Sequence, residues 1–141
     1  MAQANKYLVR TGQRPVRSWQ ELVRALLEGQ AFSFRRVIAD LRSTTGRDLR
    51  RLCLIGGGSR YRLLCQMVAD ATELEVVSGP SEATAAGNVA IQALAVGALK
   101  DPAHIRTLIR RSFPPVVYTP RATRAWERNI PAAVTGKGRP R

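Results

Sequence analysis

The chain has 141 residues, of which 45% are hydrophobic and 23% charged, a balance typical of one soluble globular domain. No apolar run approaches the roughly 20 residues that cross a bilayer, and the first residues lack the apolar core of a secretory signal. These features argue against a membrane or secreted protein, so we expect a cytoplasmic one. The formal net charge is +13, and residues 1–50 and 101–141 carry nearly all of it.

The N-terminal third predicts one long amphipathic helix. Residues 1–17 show no clear period and are interpreted as a lead-in segment. Ser18 is a candidate N-cap, and Glu21 three residues later completes a capping box. Apolar residues then recur at helical spacing from Trp19 onward, which indicates one helix or two with a break near Gly29. Gly46 is the expected stop.

The middle of the chain predicts strand, glycine loop, helix and second strand. Residues 49–55 predict a short strand, in which residues 52–55 are apolar on both faces, as is typical of a central strand in a covered sheet. Three glycines and Ser59 follow, then a helical period over residues 60–72 and a short apolar run over residues 74–77. The two cysteines, Cys53 and Cys65, form no metal or redox motif and are expected to be reduced and buried.

A second glycine-containing corner opens the next predicted helix. Gly79 is expected to cap it, Pro80 to occupy its first turn and Glu82 to lie near its positive end. Gly87 and Asn88 disfavour a helix interior, which leaves two interpretations open: tight packing, or a role near a ligand. A further helix is predicted to start at residues 101–102. Five prolines follow residue 113, and we expect the basic tail, residues 131–141, to be disordered.

This order of elements predicts an α/β layered domain that is rich in helix and has a small sheet. Two strands alone make a marginal sheet, so the pattern is incomplete. Additional strands are expected from residues read as loops, from another copy or from a segment outside the chain.

The triple glycine between strand and helix is the strongest chemical signal. Glycines permit positive φ angles and let a ligand approach bare backbone, while the following helix start offers free N–H groups and a positive dipole end. Such a corner suits a phosphate or the edge of a nucleotide. It is neither a Walker motif nor a GxGxxG dinucleotide fingerprint.

The two glycine segments resemble the C-terminal region of the FGGY carbohydrate kinases, and above all its rhamnulokinase branch. The matching segments are Leu54-Ile55-Gly56-Gly57-Gly58-Ser59-Arg60, Gly79-Pro80-Ser81-Glu82-Ala83-Thr84 and Gly87-Asn88, with further likeness over roughly residues 3–130. The resemblance implies a partial actin-like, ribonuclease-H-like domain. It also implies a two-lobed kinase that transfers the γ-phosphoryl group of Mg-ATP to a sugar hydroxyl.

The resemblance implies site residues as well. Gly56, Gly57 and Gly58 would contact the nucleotide, with Gly57 the best single candidate. Tyr61 stands where the family often has Asn, and it would either stack on adenine or block it. The family's catalytic base lies upstream of the matched region, so no catalytic residue and no metal ligand are assigned in this chain, and Mg²⁺ would be held mainly by the nucleotide and the other lobe.

We therefore interpret residues 18–130 as the C-terminal lobe of a carbohydrate kinase, with ATP and a sugar as substrates, and expect it to be inactive alone. An N-terminal kinase lobe on a separate chain is a candidate partner. Two alternatives remain: a non-catalytic remnant with an interaction role, and a basic nucleic-acid-binding protein. The second draws only on charge, because no recognised nucleic-acid motif is present and no specific nucleic-acid partner is expected.

Overall fold

The computed structural model describes residues 1–128, and its longest element is helix α2, Trp19–Thr45. The Ser18 hydroxyl caps it by accepting a hydrogen bond from the Glu21 N–H at 3.1 Å. The Glu21 carboxylate accepts from the N–H of Arg17, one residue before the expected partner. The helix passes through Gly29 unbroken and ends at Gly46, whose φ of 64° is left-handed. The single-helix interpretation is therefore confirmed.

A helix precedes α2 within the segment read as a lead-in. Helix α1 spans Ala2–Arg10 and buries none of its residues. The Asn5 side chain exchanges two hydrogen bonds with the backbone of Val16, at 3.0 and 3.1 Å, and so ties α1 to the start of α2. This helix was missed because its nine residues are fewer than the window of about 11–18 in which a helical period is recognised.

In the described residues the sheet has three short strands: β1 (Arg51–Leu54), β2 (Glu75–Ser78) and β3 (Val116–Tyr118). Their order is β1-β2-β3, with β1 parallel and β3 antiparallel to β2. The third strand comes from residues read as a loop, which is one of the sources expected for it.

Strand β1 corrects two expectations. It is an edge strand in the described residues, so the prediction of a central position was wrong for this chain. Cys53 is exposed, since its side chain lies on the sheet face opposite Leu54, and the prediction that both cysteines are buried holds only for Cys65. The prediction was wrong because a run that is apolar on both faces indicates two covering layers, and residues 1–128 supply only one.

Residues 1–128 contain four further helices: α3 (Arg62–Thr72), α4 (Ala83–Ala95), α5 (Pro102–Ser112) and α6 (Thr123–Arg128). Helix α5 starts where residues 101–102 predicted a helix start, and Asp101 caps it by accepting a hydrogen bond from the N–H of His104 at 2.7 Å. Pro80 lies three residues before α4, outside its first turn, and Glu82 rather than Gly79 is the N-cap residue. The expected start of this helix was therefore too early.

The core lies between the sheet and helices α2 and α3. Cys65, Val68 and Val76 are its largest fully buried side chains. Trp126 of α6 closes one end by meeting Phe32 of α2 edge-on, with ring centroids 4.9 Å apart. The fold is thus helix-rich α/β with a small mixed sheet, as predicted. The tail expected at residues 131–141 lies outside the described residues, and within residues 1–128 no helix is long and apolar enough to cross a membrane.

Candidate nucleotide-binding site

The triple glycine forms a sharp corner between β1 and α3. Gly56 follows the end of β1 with φ 80° and ψ −168°, a conformation that residues with a side chain rarely adopt. A 3-10 turn, Gly57–Arg60, comes next, and α3 begins at Arg62. The 3-10 turn and the first turn of α3 therefore follow the strand in succession.

The corner is lined by bare backbone. A Cβ placed on Gly56 or Gly57 would meet no other atom within 4 Å, and one on Gly58 would lie 3.9 Å from Leu64 Cδ2, an ordinary contact. Gly57 and Gly58 also have no positive φ. The chain's own packing therefore does not require glycine at these two positions, and the described residues leave the space beside them open. Access for a ligand would account for glycine there.

A second loop holds this corner in place. The N–H of Gly79 donates to the carbonyl of Leu54 at 2.7 Å, and the N–H of Gly56 donates to the carbonyl of Pro80 at 3.0 Å. The buried Ser59 hydroxyl lies 2.8 Å from the Gly56 carbonyl oxygen and 3.0 Å from that of Gly79. These contacts bring the ends of β1 and β2 together.

Gly79 has a steric role that sequence reasoning missed. A Cβ at this position would lie 2.8 Å from Ile55 Cγ2, closer than side chains tolerate. Ser59 was likewise read only as part of a turn. The sole signal for either was its place in a glycine-containing corner at the end of a strand, which does not reveal that the two corners touch.

The electrostatics at the corner favour an anion. Tyr61 is the N-cap residue of α3, and no side chain caps the N–H groups of the first turn. These groups and the positive end of the helix dipole therefore face the glycine corner. Arg60 and Arg62 flank Tyr61 and are exposed, so the local charge is also positive. This pair was not singled out from sequence.

Tyr61 is suitably placed to contact a ligand at the corner. Its side chain is 65% exposed, while its N–H donates to the Gly58 carbonyl at 3.2 Å and its carbonyl accepts from the Cys65 N–H at 3.0 Å. These two hydrogen bonds fix the backbone of Tyr61, so its ring extends from a fixed point. Stacking and blocking both remain predictions.

Cys65 lies directly beneath the corner. Its Sγ is 3.6 Å from the carbonyl oxygen of Ser59, and the side chain is fully buried. Burial raises the pKa of this thiol above its ordinary value. Cys65 therefore stays protonated at neutral pH and acts as a packing residue, not a nucleophile.

Asp70 and Asp101 have structural roles. The buried Asp70 accepts hydrogen bonds from the Gln66 side chain at 2.9 Å and from the Arg121 N–H at 2.7 Å, and Asp101 caps α5. In the described part of the chain, no group of three or more His, Cys, Asp or Glu side chains is arranged to hold a metal ion. We assign neither aspartate to catalysis or to Mg²⁺.

Gly87 lies in the interior of α4, where a Cβ would meet nothing within 4 Å. The tight packing considered for Gly87 is therefore absent from the described residues. A ligand role for Gly87 and Asn88 remains a prediction.

Comparison with known proteins identifies the family of this chain. The family model for the FGGY family of carbohydrate kinases, C-terminal domain, matches residues 1–96. The chain is 44% identical over 128 residues to a rhamnulokinase of Bacteroides thetaiotaomicron, covering 90% of the chain and 26% of that protein. It is 37% identical over 111 residues to a rhamnulokinase of Pectobacterium atrosepticum, covering 79% of the chain and 22% of that protein.

A rhamnulokinase of Bacillus subtilis is 35% identical over 115 residues, covering 82% of the chain and 24% of that protein. The chain thus spans about a quarter of the length of these curated relatives. With the glycine corner, the α/β fold and the family match in agreement, the chain belongs to the FGGY family of carbohydrate kinases and carries a rhamnulokinase-like C-terminal domain.

Proposed function

We propose that this chain is the ATP-binding C-terminal part of a carbohydrate kinase that phosphorylates a hydroxyl of a rhamnulose-type sugar. One observation carries the proposal: Gly57 and Gly58 leave bare backbone open beside an uncapped helix start, although neither the local conformation nor packing requires glycine there. The backbone at residues 56–58 would hold the nucleotide edge or a phosphate, and Tyr61 would contact the base.

The proposal also holds that the chain is inactive alone. Phosphoryl transfer requires several charged groups to be positioned at once around the nucleotide and its Mg²⁺. The described residues supply one wall and no acidic cluster for the metal. Mg-ATP would supply the phosphoryl group, and Mg²⁺ would be held mainly by the nucleotide and the rest of the kinase. A cytoplasmic location, where ATP is available and free thiols stay reduced, completes the proposal.

A chimaera tests this function. The chain would replace the aligned region of the Bacteroides thetaiotaomicron rhamnulokinase, to which it is 44% identical over 128 residues. We expect rhamnulose-dependent ADP release by the chimaera, and none by the chain alone or by the relative without its aligned region. A folded chimaera that binds no ATP would contradict the nucleotide assignment, and turnover by the isolated chain would contradict its incompleteness.

A second role has one supporting observation. Helix α2 exposes Trp19, Val23 and Leu26 by 52–64%, and such a stripe favours association. A non-catalytic partner of an intact kinase would use it. Light scattering of the chain with the intact relative tests this role: a stable complex supports it, and two independent species exclude it.

A further inference from the structure

Helix α5 has two unlike sides. Its inner side lines an apolar groove against α4 with three large side chains, Leu108, Ile109 and Phe113. On a helix with about 3.6 residues per turn, the opposite side holds Arg106, Arg110 and Arg111. All three are exposed. They form one outward surface, which we call the arginine face.

The arginine face has no carboxylate partner in the part of the chain that the structure describes. Arginines of α2 do have such partners: Arg24 pairs with Glu28 at 2.6 Å and Arg36 pairs with Asp40 at 3.9 Å. Within residues 1–128, the arginine face forms no ion pair and no side-chain hydrogen bond. The acidic residue next to α5, Asp101, is its N-cap. The positive charge of this face is therefore uncompensated.

The stability of α5 accounts for only part of this charge. Arg110 and Arg111 lie in the last turn, where a positive charge interacts favourably with the helix dipole. Arg106 lies before that turn and precedes Arg110 by four residues, a spacing at which like charges repel each other. The arginine face thus concentrates more positive charge than the helix itself requires.

The chemistry of the arginine face suits a polymer of phosphates. A guanidinium group can donate two parallel hydrogen bonds to the oxygens of one phosphate. With a rise of about 1.5 Å per residue, the three arginines extend over about 7.5 Å of the helix axis. Double-stranded DNA carries one negative charge per roughly 1.7 Å of its axis. Several phosphates therefore come within reach of the arginine face at once.

The rest of the outward side disfavours two other kinds of anionic partner. Its other residues, Ala103 and Thr107, are small. A helix that lies on a bilayer needs large apolar side chains that enter the lipid, and the centre of a protein interface is apolar or aromatic. The large apolar residues of α5 lie on the groove side instead.

We propose that the arginine face of α5 binds the phosphodiester backbone of nucleic acid without recognising the base sequence. This activity goes beyond the proposed kinase function, because it uses a helix that lies outside the glycine corner. The net charge of +13 attracts the polymer to the protein, and the arginine face holds it.

The salt dependence of binding tests the proposal. A labelled DNA duplex of about 20 base pairs is titrated with the chain between about 50 and 200 mM salt, and fluorescence anisotropy reports binding. Each phosphate contact adds about 0.9 to the slope of log affinity against log salt concentration, so Arg106→Gln/Arg110→Gln/Arg111→Gln should make the slope shallower by about 2–3. Two duplexes of unrelated sequence should bind equally tightly. An unchanged slope would overturn the proposal, and so would a preference of about tenfold or more for one duplex.

A matched triple variant separates the location of the charge from its total. Arg24→Gln/Arg36→Gln/Arg50→Gln also removes three positive charges, but from arginines that pair with carboxylates. We expect this variant to change the slope by less than about 1. Equally shallow slopes in the two triple variants would show that net charge alone drives binding, which rejects the arginine face as the binding surface.

Single substitutions at Arg106 decide the question if the triple variant of α5 does not fold. Arg106→Gln should make the slope shallower by about 0.9, whereas Arg106→Lys should retain the slope because lysine keeps the charge. Far-UV circular dichroism verifies that both variants fold. A folded Arg106→Gln chain with the unsubstituted slope would exclude this contact and, with it, the proposal.

Vesicles of equal parts phosphatidylserine and phosphatidylcholine test the bilayer as an alternative partner. We expect the triple variant of α5 to co-sediment with these vesicles as well as the unsubstituted chain does, while its affinity for the duplex falls. A loss of vesicle binding in this variant with unchanged affinity for the duplex would assign the arginine face to a lipid surface and refute the proposal.

Discussion

The Ser59 hydroxyl lies 3.0 Å from the carbonyl oxygen of Gly79, across 20 residues of sequence. The contact joins the glycine corner after β1 to the loop after β2, and it places both at the same end of the sheet. A hydrogen bond of the buried Ser59 hydroxyl therefore fixes the open backbone at residues 56–58, which its glycines alone would leave flexible.

Replacing Ser59 by Ala tests how firmly the corner is held. The Gly79 carbonyl would lose this partner in a buried place, and we expect the free energy of unfolding to fall by about 1–3 kcal/mol. Urea denaturation measures it. Ser33→Ala is the matched control, since the Ser33 hydroxyl is exposed and bonds only within α2, and its effect should stay within about 0.5 kcal/mol. Equal losses of unfolding free energy in the two variants would show that the Ser59 hydrogen bond adds no more stability than an exposed serine hydroxyl does.

Two glycine substitutions are expected to act in opposite directions. Gly79→Ala puts a Cβ 2.8 Å from Ile55 Cγ2, and we expect a loss of about 1–3 kcal/mol in the free energy of unfolding from overpacking. In Gly87→Ala the new Cβ meets no atom within 4 Å in the interior of α4. This substitution should therefore raise the free energy of unfolding by up to about 1 kcal/mol, because Ala has the higher helix propensity.

A double mutant refines the Gly79 prediction. Ile55→Ala removes the clashing methyl group, so it should recover part of the loss caused by Gly79→Ala. Thermal unfolding of the four proteins measures the coupling between the two positions. Strictly additive effects would indicate that contact with Ile55 is not the reason for glycine at position 79.

Asp70 is expected to anchor the last part of the described chain. It accepts the Arg121 N–H at 2.7 Å, 51 residues away, and the Ala122 N–H at 3.4 Å. Asp70→Ala should lower the free energy of unfolding by about 1.5–3 kcal/mol, because these hydrogen bonds have a charged acceptor. It should also loosen α6, which a red shift of Trp126 emission would report. The control Asp40→Ala, at an exposed position of α2, should leave both the free energy of unfolding and the Trp126 emission unchanged.

The Cys65 thiol predicts a loss of stability in alkaline solution. Burial raises the pKa of this thiol, so the folded chain holds the proton to higher pH than the unfolded chain does. Stability is therefore complete below the ordinary thiol pKa of about 8.5 and falls as pH rises above it. Urea midpoints at pH 7 and pH 10 measure this loss, which should be smaller in Cys65→Ala. An equal loss in both proteins would assign it to other groups.

Local chemistry in the sequence was sufficient to predict the parts of the fold that depend on neighbours in the chain. The Ser18 cap, the Gly46 stop and the start of α5 at residues 101–102 were all predicted correctly, because each is decided within a few residues. Strand β3 and the edge position of β1 were not, since strand order depends on pairing between residues about 24 to 42 positions apart. The apolar run of β1 predicted a strand covered on both faces, and the described residues cover only one of them.

The candidate site shows the same contrast between features decided by neighbours in the chain and features that depend on distant segments. The open glycine corner was expected from strand, glycines and helix start, and the structure leaves Gly57 and Gly58 unobstructed. The contact of Ser59 with Gly79 and the steric demand at Gly79 were missed, because they arise where two corners meet in space. Assignment of the corner to a nucleotide is still a prediction.

The most direct measurement is the KM for ATP of the chimaera with and without Gly57→Ala. A Cβ at Gly57 enters open space, so the fold should be unaffected while a ligand against the backbone is displaced. We predict a rise of about tenfold or more in the KM for ATP, equivalent to about 1.4 kcal/mol, with thermal stability unchanged. We predict no such rise in Gly29→Ala, where the added Cβ also meets no atom within 4 Å at an exposed position of α2. An unchanged KM for ATP in the Gly57→Ala chimaera would contradict the assignment of this corner to the nucleotide.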